Sequence, residues 1–102
     1  MYIQRVRMDK VNFEWDFDKY EQNHRKHRIR FEEAQTVFSD PRSIDFYDQE
    51  HSNREDRFVR LGISERLNIL LIVYCQRSEN LIRIISARKA TTDERNLYEK
   101  RI

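Results

Sequence analysis

Glycine, proline and cysteine each occur once, at Gly62, Pro41 and Cys75. With so few chain breakers there is no flexible linker and no visible domain boundary. Glycine-rich phosphate loops and paired-cysteine zinc spacings are absent as well. A lone cysteine excludes an intramolecular disulfide framework. Cys75 follows the apolar run Leu67 to Tyr74 and reads as a small buried hydrophobe. No apolar stretch approaches the ~20 residues that span a membrane. The N-terminus, Met1-Tyr2-Ile3-Gln4-Arg5-Val6-Arg7, lacks the apolar centre of a signal peptide. These absences predict a soluble, cytoplasmic protein without a membrane partner. Charge of one sign is also missing: the net charge is +2, too small to announce a nucleic-acid binder by itself.

What is present suits one modest core. The 102 residues are 37% charged, 38% hydrophobic and 12% aromatic, which argues against disorder. They predict a single domain over 1–102, with 1–11 as a weakly patterned N-terminal extension and Met8 as an alternative start. Asn12 to Trp15 alternates polar and aromatic residues and predicts a short strand. Asp16 suits the cap of a helix over Asp18 to His27. Phe31, Ala34, Val37 and Phe38 line one face of a second helix, ended by Asp40-Pro41. Strands are predicted over Ser43 to Tyr47, Arg57 to Ser64, Ile69 to Gln76 and Leu81 to Arg88. Gly62 inside the second of these signals a bulge or a close approach of backbone. Thr91 or Thr92 can cap a last helix, Asp93 to Lys100. The expected fold class is α+β: N-terminal helices, an antiparallel meander and a C-terminal helix.

The strand from Leu81 to Arg88 is the most informative segment. Regular alternation puts Leu81, Arg83, Ile85 and Ala87 on one face, and Ile82, Ile84, Ser86 and Arg88 on the other. A guanidinium on such an apolar strand needs a partner. Either a neighbouring carboxylate pairs with Arg83, or Arg83 faces a cleft that receives an anion.

His24-Arg25-Lys26-His27-Arg28-Ile29-Arg30 packs four formal positives and two histidines together. Lys19, Asn23, Lys26 and His27 share a helix side that is either a solvated face or a phosphate-binding one. His24 and His27, three apart, lack further ligands at metal spacing, so neither a metal nor another cofactor is expected. The loop around His51, Glu55 and Arg57 is either a hydrophilic connection or a source of acid–base groups. Tyr98 either packs or lends a phenol to a site. Trp15 and the phenylalanines at 13, 31 and 38 read as core.

Taken in order, these segments resemble the BrnT family of toxins. The likeness runs through Phe13-Glu14-Trp15-Asp16, Lys19, Asn23, Lys26-His27, Phe31-Glu32-Glu33-Ala34, Val37-Phe38 and Asp40-Pro41. It continues through Asp48, His51-Ser52, Glu55 with Arg57, Gly62, Arg83-Ile84-Ile85-Ser86-Ala87-Arg88, Glu94 and Tyr98. One departure is Arg28, which stands where the family commonly has a glycine. The resemblance implies a RelE-like fold and a type II toxin–antitoxin component, a metal-independent endoribonuclease that inhibits translation. It implies RNA as substrate and neutralisation by a ribbon-helix-helix antitoxin in a complex, such as a heterotetramer, that reaches DNA only through the antitoxin. On that basis Arg83 and Arg88 take the phosphate, and His51, Glu55 and Tyr98 are acid–base candidates. Lys19 and Arg57 bind RNA, and Lys26 and His27 bind RNA or share the proton transfer. The alternative is a catalytically inactive homologue that serves antitoxin binding and operon autoregulation. A metal-dependent nuclease using His24, His27 and carboxylates is a further contender.

Overall fold

The computed structural model describes residues 3–8 and 11–100, with side chains of 4–8 outside the description. The elements run β1 (Ile3–Met8), β2 (Val11–Asp16), α1 (Phe17–His27), α2 (Phe31–Thr36), a 3-10 turn (Val37–Ser39), β3 (Ile44–Tyr47), β4 (Arg57–Ile63), β5 (Ile69–Ser78), β6 (Leu81–Lys89) and α3 (Thr92–Glu99). The expected α+β class holds. The strands form one sheet in the order β1-β2-β6-β5-β4-β3. Two corrections follow. The sheet is mixed rather than antiparallel, because β2 lies parallel to β6, with Glu14 opposite Arg83. The segment expected to be an unpatterned extension instead supplies β1, which pairs antiparallel with β2 from Ile3–Asp16 to Met8–Val11. Residues 1, 2, 9 and 10 of that segment lie outside the described residues. None of the described helices is long and apolar enough to cross a membrane.

Local chemistry sets the helix ends. The Asp16 carboxylate accepts from the N–H groups of Asp18 (2.8 Å) and Lys19 (3.3 Å) and so starts α1. The helix stops at Arg28, whose φ of 61° is left-handed and whose N–H donates to His24 O. This is the geometry glycine favours, so the turn keeps a glycine-like backbone despite carrying an arginine. Of the two threonines, Thr91 is the cap of α3: its hydroxyl accepts from Glu94 N–H, and the Glu94 carboxylate accepts from Thr91 N–H.

The core lies between the helices and one sheet face. Phe13, Trp15, Ile29, Phe31, Ala34, Val37, Leu70, Ile72, Tyr74, Ile82, Ile84 and Ala87 are all buried there. Each fully buried large apolar side chain contributes about 1.5–3 kcal/mol. Trp15 stacks on Tyr20 and meets Phe31 edge-on, as expected of core aromatics. Gly62 marks a close approach: a Cβ there would stand 2.7 Å from Val37 Cγ1 and 2.9 Å from Ser43 Cβ. Cys75 is buried on the opposite face.

Two polar devices fix the parts that flank the sheet. Asn23 replaces a missing strand partner for β6 beyond the end of β2. Its Nδ2 donates to Ala87 O (2.9 Å) and Ile29 O (3.0 Å), and its Oδ1 accepts from Ala87 N–H (2.9 Å). Asp40 accepts from Ile63 N–H (2.9 Å), beyond the end of β3, and from the Tyr98 hydroxyl (2.6 Å), which ties α3 to the sheet.

Candidate functional site

A bulge in β6 decides where the arginines point. Val73 pairs with Ser86 and Tyr74 with Ile84, so Ile85 is an extra residue. Beyond it the alternation inverts. Ala87 therefore joins Ile82 and Ile84 in the core, and Arg88 turns to the same face as Arg83. This corrects the regular alternation expected from sequence, which put the two arginines on opposite faces. Cross-strand pairing confirms the arrangement: Arg83 lies opposite Cys75 and Arg88 opposite Leu71, four residues apart on the unbulged stretch of β5. Four strand rises separate the two arginine backbones by about 13 Å.

Both guanidiniums have carboxylate partners. Arg83 Nε donates to Glu14 Oε2 at 2.7 Å and Nη2 stands 2.6 Å from the same oxygen. Glu14 is 2% exposed. Arg88 makes a two-pronged pair with Glu94, Nη1 to Oε1 at 2.8 Å and Nη2 to Oε2 at 3.0 Å. Chiefly through those hydrogen bonds, the Glu94 carboxyl is held at about 2. Of the two explanations for Arg83 open from sequence, the neighbouring carboxylate is present, on β2.

Helix α1 lies alongside β6 because Asn23 grips Ala87. Between them is a shallow cavity of about 170 Å³, lined by Lys19, Gln22, Asn23, Lys26, His27, Ile85 and Ser86. Lys19, Lys26 and His27 thus form a cationic track beside the β6 arginines. Burial pushes the His27 imidazole below its usual range, and the charges of Lys26 and Arg88 push it the same way. A neutral imidazole in a cationic setting can accept a proton near neutrality. His24 faces a different cavity, with Arg28, Arg66 and Lys89, so the two histidines do not converge. Among the described residues no three His, Cys, Asp or Glu side chains are gathered as a metal site.

The other candidates separate into two groups. Arg57 lies opposite Cys75, which lies opposite Arg83, so the two arginines flank one cysteine in a row across the sheet. Arg57, His51 and Glu55 line a cavity of about 300 Å³ under the β3–β4 loop. Glu55 is bonded to Arg77 at 2.8 Å. The Cys75 thiol, then Arg77, keep the Glu55 carboxyl below its usual range. Burial, followed by Glu55, pushes the thiol up to about 11. His51 Nδ1 lies 3.1 Å from Asp48. Tyr98 stands apart from this cluster: it is buried on α3 and its hydroxyl is committed to Asp40. Burial and that carboxylate push it up to about 12.

Sequence reasoning did not find Glu14 as the mate of Arg83, nor the Asp48–His51 pair. The β2–β6 pairing that brings Glu14 to Arg83 joins residues 69 apart, and no local pattern signals it. The Asp48–His51 spacing of three was a usable signal.

Comparison with known proteins supplies the family. Residues 15–94 match the family model described as ribonuclease toxin, BrnT, of type II toxin-antitoxin system. The 1.1 Å crystal structure of the Brucella abortus ribonuclease toxin BrnT superposes with a TM-score of 0.60. It shares 22% sequence identity, and the alignment covers 76% of this chain and 94% of that one. No curated protein sequence matches. The family model spans well over half of the chain, and the chain belongs to the BrnT family of type II toxin–antitoxin ribonuclease toxins.

Proposed function

We propose that the chain is a RelE-like, metal-independent endoribonuclease of the cytoplasm that cleaves RNA by attack of the ribose 2′-hydroxyl and thereby inhibits translation. The support is the α1 cavity of Lys19, Lys26 and His27 against β6, the placing of Arg83 and Arg88 on one face of that strand, and family membership. In this reading the scissile phosphate lies at the Lys26–His27–Arg88 end. Neutral His27 takes the 2′-hydroxyl proton as the 2′-oxygen bonds to phosphorus. Lys26 and Arg88 meet the charge that develops on the phosphoryl oxygens. The bond to the 5′-oxygen breaks, and Lys26 returns a proton to that oxygen. The products are a 2′,3′-cyclic phosphate and a 5′-hydroxyl. Arg83 and Arg57 hold flanking RNA, with His51. Glu55 and Tyr98 take structural roles, because Arg77 and Asp40 occupy them. A ribbon-helix-helix antitoxin neutralises the toxin in a heterotetramer and supplies all contact with DNA.

The second reading, an inactive homologue that only binds antitoxin and regulates its operon, is favoured by the carboxylate pairing of both arginines. One experiment separates the two. Purified protein is incubated with RNA, with and without chelator, and product ends are identified. The ribonuclease reading expects chelator-resistant cleavage to cyclic phosphate. It expects Arg88→Ala and His27→Asn each to reduce the rate roughly 10²-fold or more, and Arg83→Ala to weaken RNA binding, with circular dichroism unchanged. Cleavage that persists at the parent rate in all three folded variants would refute the assigned site. Absence of cleavage by the parent chain would favour the inactive homologue.

A further inference from the structure

The β3–β4 loop is built more firmly than a plain connection requires. Asp48 N–H donates to Arg57 O at 2.9 Å, closing the last rung of the hairpin. The Ser52 hydroxyl then bridges the strand ends, donating to Asp48 O and accepting from Arg57 N–H. Tyr47 bonds Asp56 at 2.9 Å and Glu55 bonds Arg77 at 2.8 Å. Asp48 also orients His51 through Nδ1, which leaves the far nitrogen of the ring pointing away from the pair. These bonds hold His51, Asn53, Arg54 and Arg57, together with the carboxylates of Glu50 and Glu55, around the cavity of about 300 Å³.

Within that frame Arg57 has an unmet requirement. Its Nε is buried and makes no hydrogen bond, a costly condition for a charged donor. The carboxylate closest to hand, Glu55, is already engaged by Arg77 and by the Cys75 thiol. Arg57 shares its cross-strand row with Arg83, and only Cys75 lies between them. Two strand spacings, about 10 Å, separate their backbones, a gap that two arginine side chains bridge from either side. The cavity therefore adjoins the sheet face assigned above to RNA.

We infer that the loop cavity is a flanking-nucleotide subsite for single-stranded RNA. Arg57 and Arg54 bind one backbone phosphate outside the scissile one, and Asn53 meets the attached base. Single strands are specified because a base must leave its stack to enter the loop. This rests on the ribonuclease reading for its place in catalysis, but its binding half is independent of cleavage.

The test compares a dinucleotide with a hexanucleotide as substrates, and measures binding of a non-cleavable 2′-O-methyl hexanucleotide by fluorescence anisotropy against salt. Arg54→Ala, on an exposed position, carries no folding risk. Arg57→Lys keeps the charge and removes the planar fork that can grip a phosphate through two donors. Each should lower the ratio of hexanucleotide to dinucleotide kcat/KM by about tenfold. Arg54→Ala should also reduce the salt slope of hexanucleotide binding by about 0.7. An unchanged ratio and slope in both folded variants would overturn the subsite. If the parent chain cleaves neither substrate, the ribonuclease reading fails while the anisotropy slope still decides the subsite. Failure of the parent to bind the hexanucleotide overturns both.

Discussion

Replacing Asn23 by alanine tests how the cationic helix is held against the sheet. Asn23 is 6% exposed and makes three hydrogen bonds, two to Ala87 and one to Ile29 O. Alanine removes all three and leaves the Ala87 N–H, the Ala87 carbonyl and the Ile29 carbonyl facing a small void. A stranded buried polar group costs about 1–3 kcal/mol. Partial entry of water lowers the sum, so the expected loss is about 3–5 kcal/mol. That is a large share of the roughly 5–15 kcal/mol that stabilises a small domain. Urea unfolding with fixed m-value measures it, and exposed Gln22→Ala is the control, expected within about 0.5 kcal/mol. The same variant should lose RNA cleavage beyond its loss of folded protein, because Lys26 and His27 ride on α1. A loss below about 1 kcal/mol would refute the view that this side chain substitutes for a strand.

Arg28→Gly should raise stability by about 1 kcal/mol in the same unfolding assay, because a left-handed residue at φ 61° is relieved by glycine. On the acid side, His27 has a folded pKa below its unfolded value, so stability falls as pH drops below about 6.5. Glu94, at about 2 against 4.5 unfolded, contributes stability above 4.5 that is lost as pH falls towards 2. On the alkaline side Tyr98 and Tyr74, both pushed up to about 12, contribute stability below pH 10 that is lost above it. Thermal denaturation scanned from pH 3 to 11 should give a dome with these flanks, and Glu94→Gln should flatten the lowest part of the acid limb.

Much of the chain was legible because its signals are local. Asp16 as a cap, Pro41 as a stop, Thr91 or Thr92 as the cap of the last helix and the β-branched run from Ile69 each depend on residues within a few positions. Gly62 announced a close approach, and Val37 and Ser43 are what it approaches. Long-range pairing was illegible. The parallel contact of β2 with β6 joins Glu14 to Arg83, and nothing near either residue encodes it. The bulge at Ile85 was hidden for a related reason. Ile84 and Ile85 are equally apolar, so sequence cannot say which of them breaks the alternation, yet that choice fixes the face of Arg88. The site was therefore named from residue types and likeness to a family, while its layout came only with the sheet.

The carboxylate partners give the two β6 arginines different capacities. Glu14 is nearly fully buried and meets Arg83 through one oxygen, on the Nε–Nη2 edge. It cannot depart without leaving a buried charge, which would cost several kcal/mol. Arg83 must therefore meet an anion while still bonded to Glu14, and Nη1 takes no part in that pair. Arg88 spends Nη1 and Nη2 on both oxygens of Glu94, and Glu94 is also tied to the backbone of Thr91. Its fork is occupied, and a phosphate arriving there competes with a carboxylate at the start of α3. After burial and Lys26, the charge of Arg88 adds to the lowering of His27, so its field reaches the α1 side even while its fork is occupied. On the ribonuclease reading, attraction for RNA would then fall to Lys19, Lys26 and Arg57, while the paired arginines would hold direction. On that reading, two forks fixed by acids beside the lysines of α1 would orient a polyanion while each fork keeps its carboxylate.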